Sequence, residues 1–405
     1  MRAVTWQGRH KVSVETVPDP EIVNPRDAIL RVTSTAICGS DLHLYDRYIP
    51  GMRAGDVLGH EFMGEVVDTG AASTLEIGQR IVVPFTISCG QCFFCERQLY
   101  SACDNANPSE TRDASDVMMG HAMGAAFGYA HLTGGYAGGQ AEYVRIPYSD
   151  VGPVVIPEDL ADDDVLFLSD ILPTGWQAAL NADIEPGDTV AIWGCGPVGL
   201  FTIQSALLLG AARVIAIDHF PTRLALARKY GAEVLDYREV DVREALDEMT
   251  GGIGPDACID CVGMESHGFT LDNVVDQVKA KFYLATERPH ALRQAILACR
   301  KGGRLSIPGV YGGFADKFPL GQLMEKGLTV KSGQTHVQRY TGELLRMIRE
   351  GKFDTASLIS HHASLEDAAD MYRHWHDEQN LYTKIVLKPG MARGTVRAVQ
   401  AMEQA

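Results

Sequence analysis

Three patterns of apolar and polar positions follow one another along the chain. Over residues 1–90, short β-rich runs at 28–32, 64–68 and 80–83 alternate with Gly and Pro turns, and Pro84 stops the last run. No long helical period interrupts them, which predicts a small irregular β-barrel. Residues 105–139 carry Gly, Ala, Asn and Met without a period and read as a long surface excursion. A strand over 140–146 ends it, and 147–157 reads as the passage toward a second domain.

The pattern changes at Thr189. A buried strand over 189–193 leads into Gly194-Cys195-Gly196-Pro197-Val198-Gly199, then an apolar helix over 200–209 that Gly210 ends, then a strand over 213–217 with Asp218 at its tip. Further strands at 233–235, 257–262, 304–308 and 328–332, with helices at 223–230, 243–249 and 291–300, predict a doubly wound, six-stranded parallel sheet of the α/β class. After about Gln334 come helices near 342–350 and 365–376 and a strand at 383–388, too little to fold alone. They are expected to return to the first domain. The expected organisation is therefore 1–160, with a lobe at 89–103, then 161–335, then 336–405, with a loose tail or subunit arm beyond Pro389.

Composition narrows the function. A chain of 405 residues is enough for two or three domains with their own cores. A formal net charge of −16 argues against nucleic acid and anionic membrane surfaces as partners. No long apolar run predicts a membrane span, and the first eight residues are too polar for a signal peptide. The expectation is a cytoplasmic protein whose nine cysteines are reduced thiols or metal ligands.

Four of those cysteines, Cys89, Cys92, Cys95 and Cys103, have the spacing of a closed tetrahedral site. With no open position, such a zinc would be structural and would pin a lobe with little core. Cys38 and His60 stand 22 positions apart in Cys38-Gly39-Ser40-Asp41-Leu42-His43 and Gly59-His60-Glu61. A thiolate and an imidazole are two of the three protein ligands a catalytic zinc needs, although each alone could equally be a core residue. The glycine-rich turn lies between a strand and a helix, with an acid 19 residues after Gly199, which is the context of a dinucleotide site. Gly194 allows the tight turn, Gly196 the approach of a pyrophosphate, and Gly199 close helix–strand packing. Pro197 and Val198 open the helix whose N-terminus faces the phosphates. Asp218 would bind the ribose hydroxyls and repel a 2′-phosphate, favouring NAD over NADP. Arg223 could soften that choice, and is read as stacking beside the adenine. Cys195, Cys258, Cys261 and Cys299 are read as packing residues.

In this order the motifs resemble the zinc-dependent medium-chain alcohol dehydrogenases, with a GroES-like catalytic domain and a Rossmann domain. The stretches 168–175 and 333–338, and the 105–139 excursion, are most similar to the glutathione-independent formaldehyde dehydrogenase and dismutase branch. The resemblance implies Asp170 as the third ligand of the catalytic zinc, where many members have cysteine, with Glu61 as its rival beside the metal. Asp170 would then stand near the start of the second domain, and the ligand set would span the junction. The resemblance also implies Ser40 and His43 as a proton relay, although Ser40 could instead cap a helix beginning near Asp41. It implies Val262 and Val310 as further nucleotide contacts. The expected activity is hydride transfer between a small alcohol, or an aldehyde hydrate, and NAD, with two zincs per chain and a homodimer or homotetramer. Rival readings are a dismutase that retains NAD(H), a polyol or secondary-alcohol dehydrogenase, and an idle member acting as a sensor.

Overall fold

The computed structural model describes residues 1–265, 289–311 and 317–399. The chain divides into two compact units, 1–173 with 334–404, and 174–333. Residues 400–405 of the expected tail lie outside the described residues.

The first unit is built on short strands: β1 (Arg2–Gly8), β2 (Lys11–Thr16), β3 (Ala28–Ile37), β4 (Glu61–Thr69), β5 (Arg80–Val83), β6 (Thr86–Ile87), β7 (Ala125–Ala126), β8 (Tyr143–Ile146) and β9 (Val154–Val155). A short helix, α1 (Gly39–Tyr45), follows β3 directly. The β-branched and apolar run of β3 is almost wholly buried, because β4 and β8 both pair with it antiparallel. Leu30, Phe62, Val66, Ile81 and Phe127 form one core of this unit.

The second unit carries β10 (Thr189–Trp193), β11 (Arg213–Asp218), β12 (Glu233–Asp236), β13 (Ala257–Asp260), β14 (Arg304–Ile307) and β15 (Thr329–Ser332). All six are parallel, in the order β12-β11-β10-β13-β14-β15. This is the doubly wound sheet expected from the alternating pattern, with its reversal between β10 and β13.

The chain then returns to the first unit with β16 (His361–Ser364), the helix Ala368–Asp377, β17 (Ile385–Lys388) and β18 (Arg397–Ala398). β17 pairs with β3 antiparallel, Ile385 opposite Ile37. The helix Ala368–Asp377 lays Met371, Tyr372 and Trp375 into a second core with Val4, Ile37 and Leu44.

Two expectations are corrected here. The excursion contains a helix, α2 (Ser109–Met119), ended by Gly120 at φ +74°, and its later part buries Ala125, Phe127 and Ala130. The stretch beyond Pro389 is not loose throughout: β18 pairs with β16, and the Gly394 amide donates to Asp367.

Candidate functional site

Strand register assembles the first centre. β3 ends at Ile37 and β4 begins at Glu61, with Ala36 opposite Glu61, so Cys38 and His60 emerge at the same end of an antiparallel pair. β17 lies on the other side of β3 and begins at Ile385, which brings Lys384 to that end as well. Gly59, at φ +99°, is packed so closely on Gln140 that a Cβ there would lie 2.4 Å from its side chain. Asp170 follows the turn Leu166–Ser169, whose Ser169 carbonyl accepts from the Phe85 amide at 2.9 Å. That bond ties the turn to the first unit. Asp170 therefore belongs to the same unit as Cys38 and His60, not to the next domain as expected.

The ligand atoms of Cys38, His60, Glu61 and Asp170 all lie within 4.8 Å of one another, and all four residues are buried. Cys38 Sγ is 3.9 Å from Asp170 Oδ2, and His60 Nε2 is 3.5 Å from the same oxygen. On its other side, His60 Nδ1 stands 3.2 Å from Asp41 Oδ1. Asp41 thus orients the ring so that Nε2 faces the cluster, the usual arrangement behind a metal-bound histidine. Its second oxygen accepts from the Cys38 amide at 2.9 Å and from Gln140 Nε2 at 3.2 Å. Tyr372 in turn donates to Gln140 Oε1 at 2.9 Å.

The charges explain why this cluster suits a cation. Burial, then the Glu61 carboxylate, push the Cys38 thiol up from its ordinary range. Burial opposes the charged form of His60, yet Asp41 and Asp170 outweigh it and hold His60 well above the ordinary imidazole range. A thiol, an imidazole and carboxylates sharing one buried pocket are the donor set of a divalent metal, which relieves both effects together. The residues fit zinc. Glu61 stands apart in one respect: its Oε1 is 2.6 Å from Lys384 Nζ, with neither side chain exposed.

Ser40 Oγ lies 3.1 Å from His60 Nε2. Ser40 is within α1 rather than its cap; Cys38 is the N-cap residue, and the Asp41 carboxylate reaches back to the Cys38 amide. His43 lies three residues on in the same helix and is buried.

The four cysteines of the lobe also converge, their sulfurs within 4.8 Å of one another. The Cys89 amide donates to Cys103 Sγ at 3.3 Å, and Gln91 and Asn105 donate to Cys89 Sγ at 3.5 Å. Burial works against a Cys92 thiolate, but amides of Cys95, Asp104 and Phe94 bring its pKa down to about 7. All nine cysteines of the chain are free thiols. Donated N–H groups around four sulfurs fit a closed tetrathiolate zinc site.

In the second unit the glycine turn has the expected form. Gly194 is at φ +89°, and a Cβ on Gly199 would fall 1.9 Å from the Gly194 carbonyl oxygen. Gly196 is the N-cap of the helix Pro197–Leu208, and the space where its Cβ would stand is open. That opening fits a pyrophosphate approaching the free amides. Asp218 Oδ2 accepts from the Cys195 amide at 2.7 Å, and Oδ1 accepts from the amides of His219 and Phe220. The guanidinium of Arg223 stacks over Phe220 at 4.5 Å. Val262 and Val310 flank Gly263, and the Met264 amide donates to the Val310 carbonyl at 2.9 Å. Sequence reasoning missed Asp260, wholly buried, which accepts from Tyr311 Oη and the Val262 and Gly263 amides and so shapes this turn. It missed Gln140, Tyr372 and Lys384 as well.

Comparison with known proteins agrees with this geometry. The family model described as alcohol dehydrogenase GroES-like domain matches residues 24–158, and that of the zinc-binding dehydrogenases matches 197–281. An uncharacterised zinc-type alcohol dehydrogenase-like protein of Bacillus subtilis is 41% identical over 96% of this chain and 100% of its own. A glutathione-independent formaldehyde dehydrogenase of Pseudomonas aeruginosa is 35% identical over 92% of this chain and 94% of its own. Among solved structures, the alcohol dehydrogenase TADH from Thermus sp. ATN1 superposes with a TM-score of 0.80 at 32% identity, covering 96% of this chain and 100% of its own.

Proposed function

Since the chain belongs to the zinc-type alcohol dehydrogenase family, we propose that it transfers a hydride between NAD and a small alcohol or the hydrate of a small aldehyde. The observation that carries this reading is the buried convergence of Cys38, His60, Glu61 and Asp170 ligand atoms within 4.8 Å. Cys38, His60 and Asp170 would hold the catalytic zinc, with Asp41 fixing the tautomer of His60. Glu61, engaged by Lys384, stays beside the ligand set without joining it permanently. A zinc ion held there supplies a Lewis acid that makes the substrate hydroxyl more acidic. Ser40, at the edge of the cluster, accepts the hydroxyl proton, and His43 on the same helix passes it toward water. The glycine turn and Asp218 would hold NAD, which would supply the hydride acceptor. The lobe cysteines hold the second, structural zinc.

The formaldehyde dehydrogenase relative supports small aldehydes among the substrates. Nine cysteines without a disulfide among them are in keeping with a cytoplasmic location, and a homodimer or homotetramer completes the proposal. The test combines metal analysis with assays over formaldehyde, primary alcohols, secondary alcohols and polyols, with and without added NAD. Asp170→Ala should lose one zinc and nearly all activity, whereas Glu61→Gln should keep both zincs and part of the activity. Turnover of aldehyde without added NAD would assign a dismutase. No turnover of any of these substrates would overturn the reading.

A further inference from the structure

We propose that His10, Asp46 and His376 form a third metal site, for a divalent ion of the zinc, nickel or copper class. It is independent of the catalytic reading. The three residues come from distant parts of the first unit: the turn between β1 and β2, the residue that follows α1, and the last turn of the helix Ala368–Asp377. Their ligand atoms lie within 4.8 Å of one another. Both imidazoles aim at one oxygen, with His10 Nε2 at 2.7 Å and His376 Nε2 at 3.1 Å from Asp46 Oδ1.

The arrangement is held rather than loose. His10 sits at φ +55°, an unusual conformation for a residue with a side chain, and its amide donates to the Tyr45 carbonyl at 2.8 Å. The buried Tyr45 ring packs on both imidazoles, at 5.3 Å from His10 and 5.6 Å from His376, and the two imidazoles are 5.1 Å apart. Arg373, one turn earlier on the helix, is engaged by Asp370 at 2.7 Å.

The second nitrogen of His376 is also engaged, which suits a metal ligand. Nδ1 lies 2.8 Å from Asp377 Oδ1, a carboxylate that only accepts. A neutral His376 therefore keeps its proton on Nδ1 and turns the lone pair of Nε2 toward Asp46. A cation between that lone pair and the Asp46 oxygen 3.1 Å away is attracted by both. One metal ion satisfies His10, Asp46 and His376 together, and Asp377 then acts as the outer carboxylate of a carboxylate–histidine–metal chain. Two imidazoles and one carboxylate match zinc, nickel or copper rather than calcium or magnesium, which want oxygen ligands throughout. The C-terminal end of the helix adds favourable potential for a cation at His376. Such an ion would clip the β1–β2 turn and the returning helix to the end of α1, whose other end carries Cys38 and Ser40.

The experiment is equilibrium dialysis of the isolated enzyme against rising free zinc, with total zinc per chain as readout. Wild type should bind one equivalent more than His10→Ala and than His376→Ala, a difference that stands whatever the baseline count of the other two sites. Asp377→Asn should weaken this equivalent about 10–100-fold. Copper added in place of the extra zinc should give an electron paramagnetic resonance signal with two imidazole nitrogens. Dehydrogenase activity should be unchanged in all three variants, which also reports that they fold. Equal zinc in wild type and both alanine variants, or a copper signal that survives them, would overturn the proposal.

Discussion

Lys384 Nζ lies 2.6 Å from Glu61 Oε1, and both side chains have no exposed surface. Burial works against the Lys384 ammonium, but the Glu61 carboxylate outweighs it and holds its pKa above the ordinary lysine range. Oε2 of Glu61 has no hydrogen-bond partner among the described residues, so the lysine is what compensates this carboxylate. Lys384→Met should cost on the order of 3–5 kcal/mol in urea unfolding, because an uncompensated carboxylate remains in the core. Adding Glu61→Gln should recover most of that loss. A single variant as stable as wild type would show that the pair is not a structural element.

Cys92→Ser should remove one zinc per chain relative to wild type and lower the thermal midpoint, since the lobe's sulfurs would no longer close around an ion. Mass-spectrometric metal analysis checks the count. Wild type holding a single zinc would contradict the assignment of the lobe.

Asp218→Gly should raise the ratio of NADP to NAD utilisation about 10–100-fold, by removing a carboxylate opposite the 2′ position and its ribose hydrogen bonds, each about 1–3 kcal/mol. Absolute rates should fall with both cofactors, because the same carboxylate fastens the amides of Cys195, His219 and Phe220. The ratio of the two kcat/KM values is therefore the measurement. An unchanged ratio would remove Asp218 from cofactor selection.

Asp163 sets an acid limit. Burial opposes its ionisation, but its contacts with His362 and Lys388 bring its pKa to about 2, from an ordinary 3.8. A carboxylate with a depressed pKa adds stability that is full above pH 3.8 and is lost as pH falls through about 2. The shift corresponds to about 2 kcal/mol at neutral pH. The difference in urea midpoint between wild type and Asp163→Asn should shrink as the pH falls below 4. A difference that grows below pH 4 would have the wrong sign.

What could be read without coordinates was what is local in the chain. The glycine turn from Gly194 to Gly199 and the four cysteines between 89 and 103 each fall in one short stretch, and their spacing alone suggests their geometry. The parallel sheet was legible because strands and helices alternate with little interruption. Asp41, Gln140, Tyr372 and Lys384 were not, since each gains meaning only through a partner elsewhere: Gln140 lies 99 residues from Asp41, and Lys384 lies 323 from Glu61. The helix Ser109–Met119 was missed for a different reason. It leaves Val117 and Met119 in solvent, so its sequence shows no apolar stripe. The structure brings Asp170 together with Cys38 and His60, but within the first unit rather than the next. Only the bond from Phe85 to Ser169 reveals where that turn is fastened.

The pairing of β17 with β3 also has a consequence for biosynthesis. Ile385 must find Ile37 across nearly the whole chain, with all of the second unit made in between. Until the ribosome has released the last strands, the Thr35–Ile37 end of β3 lacks its β17 partner, and Glu61 waits for its lysine. The parallel unit can fold early as an independent body, whereas the first unit closes last, through contacts of very high sequence separation. Ribosome-bound chains halted before Lys384 should therefore be protease-resistant in the second unit and sensitive around residues 28–69.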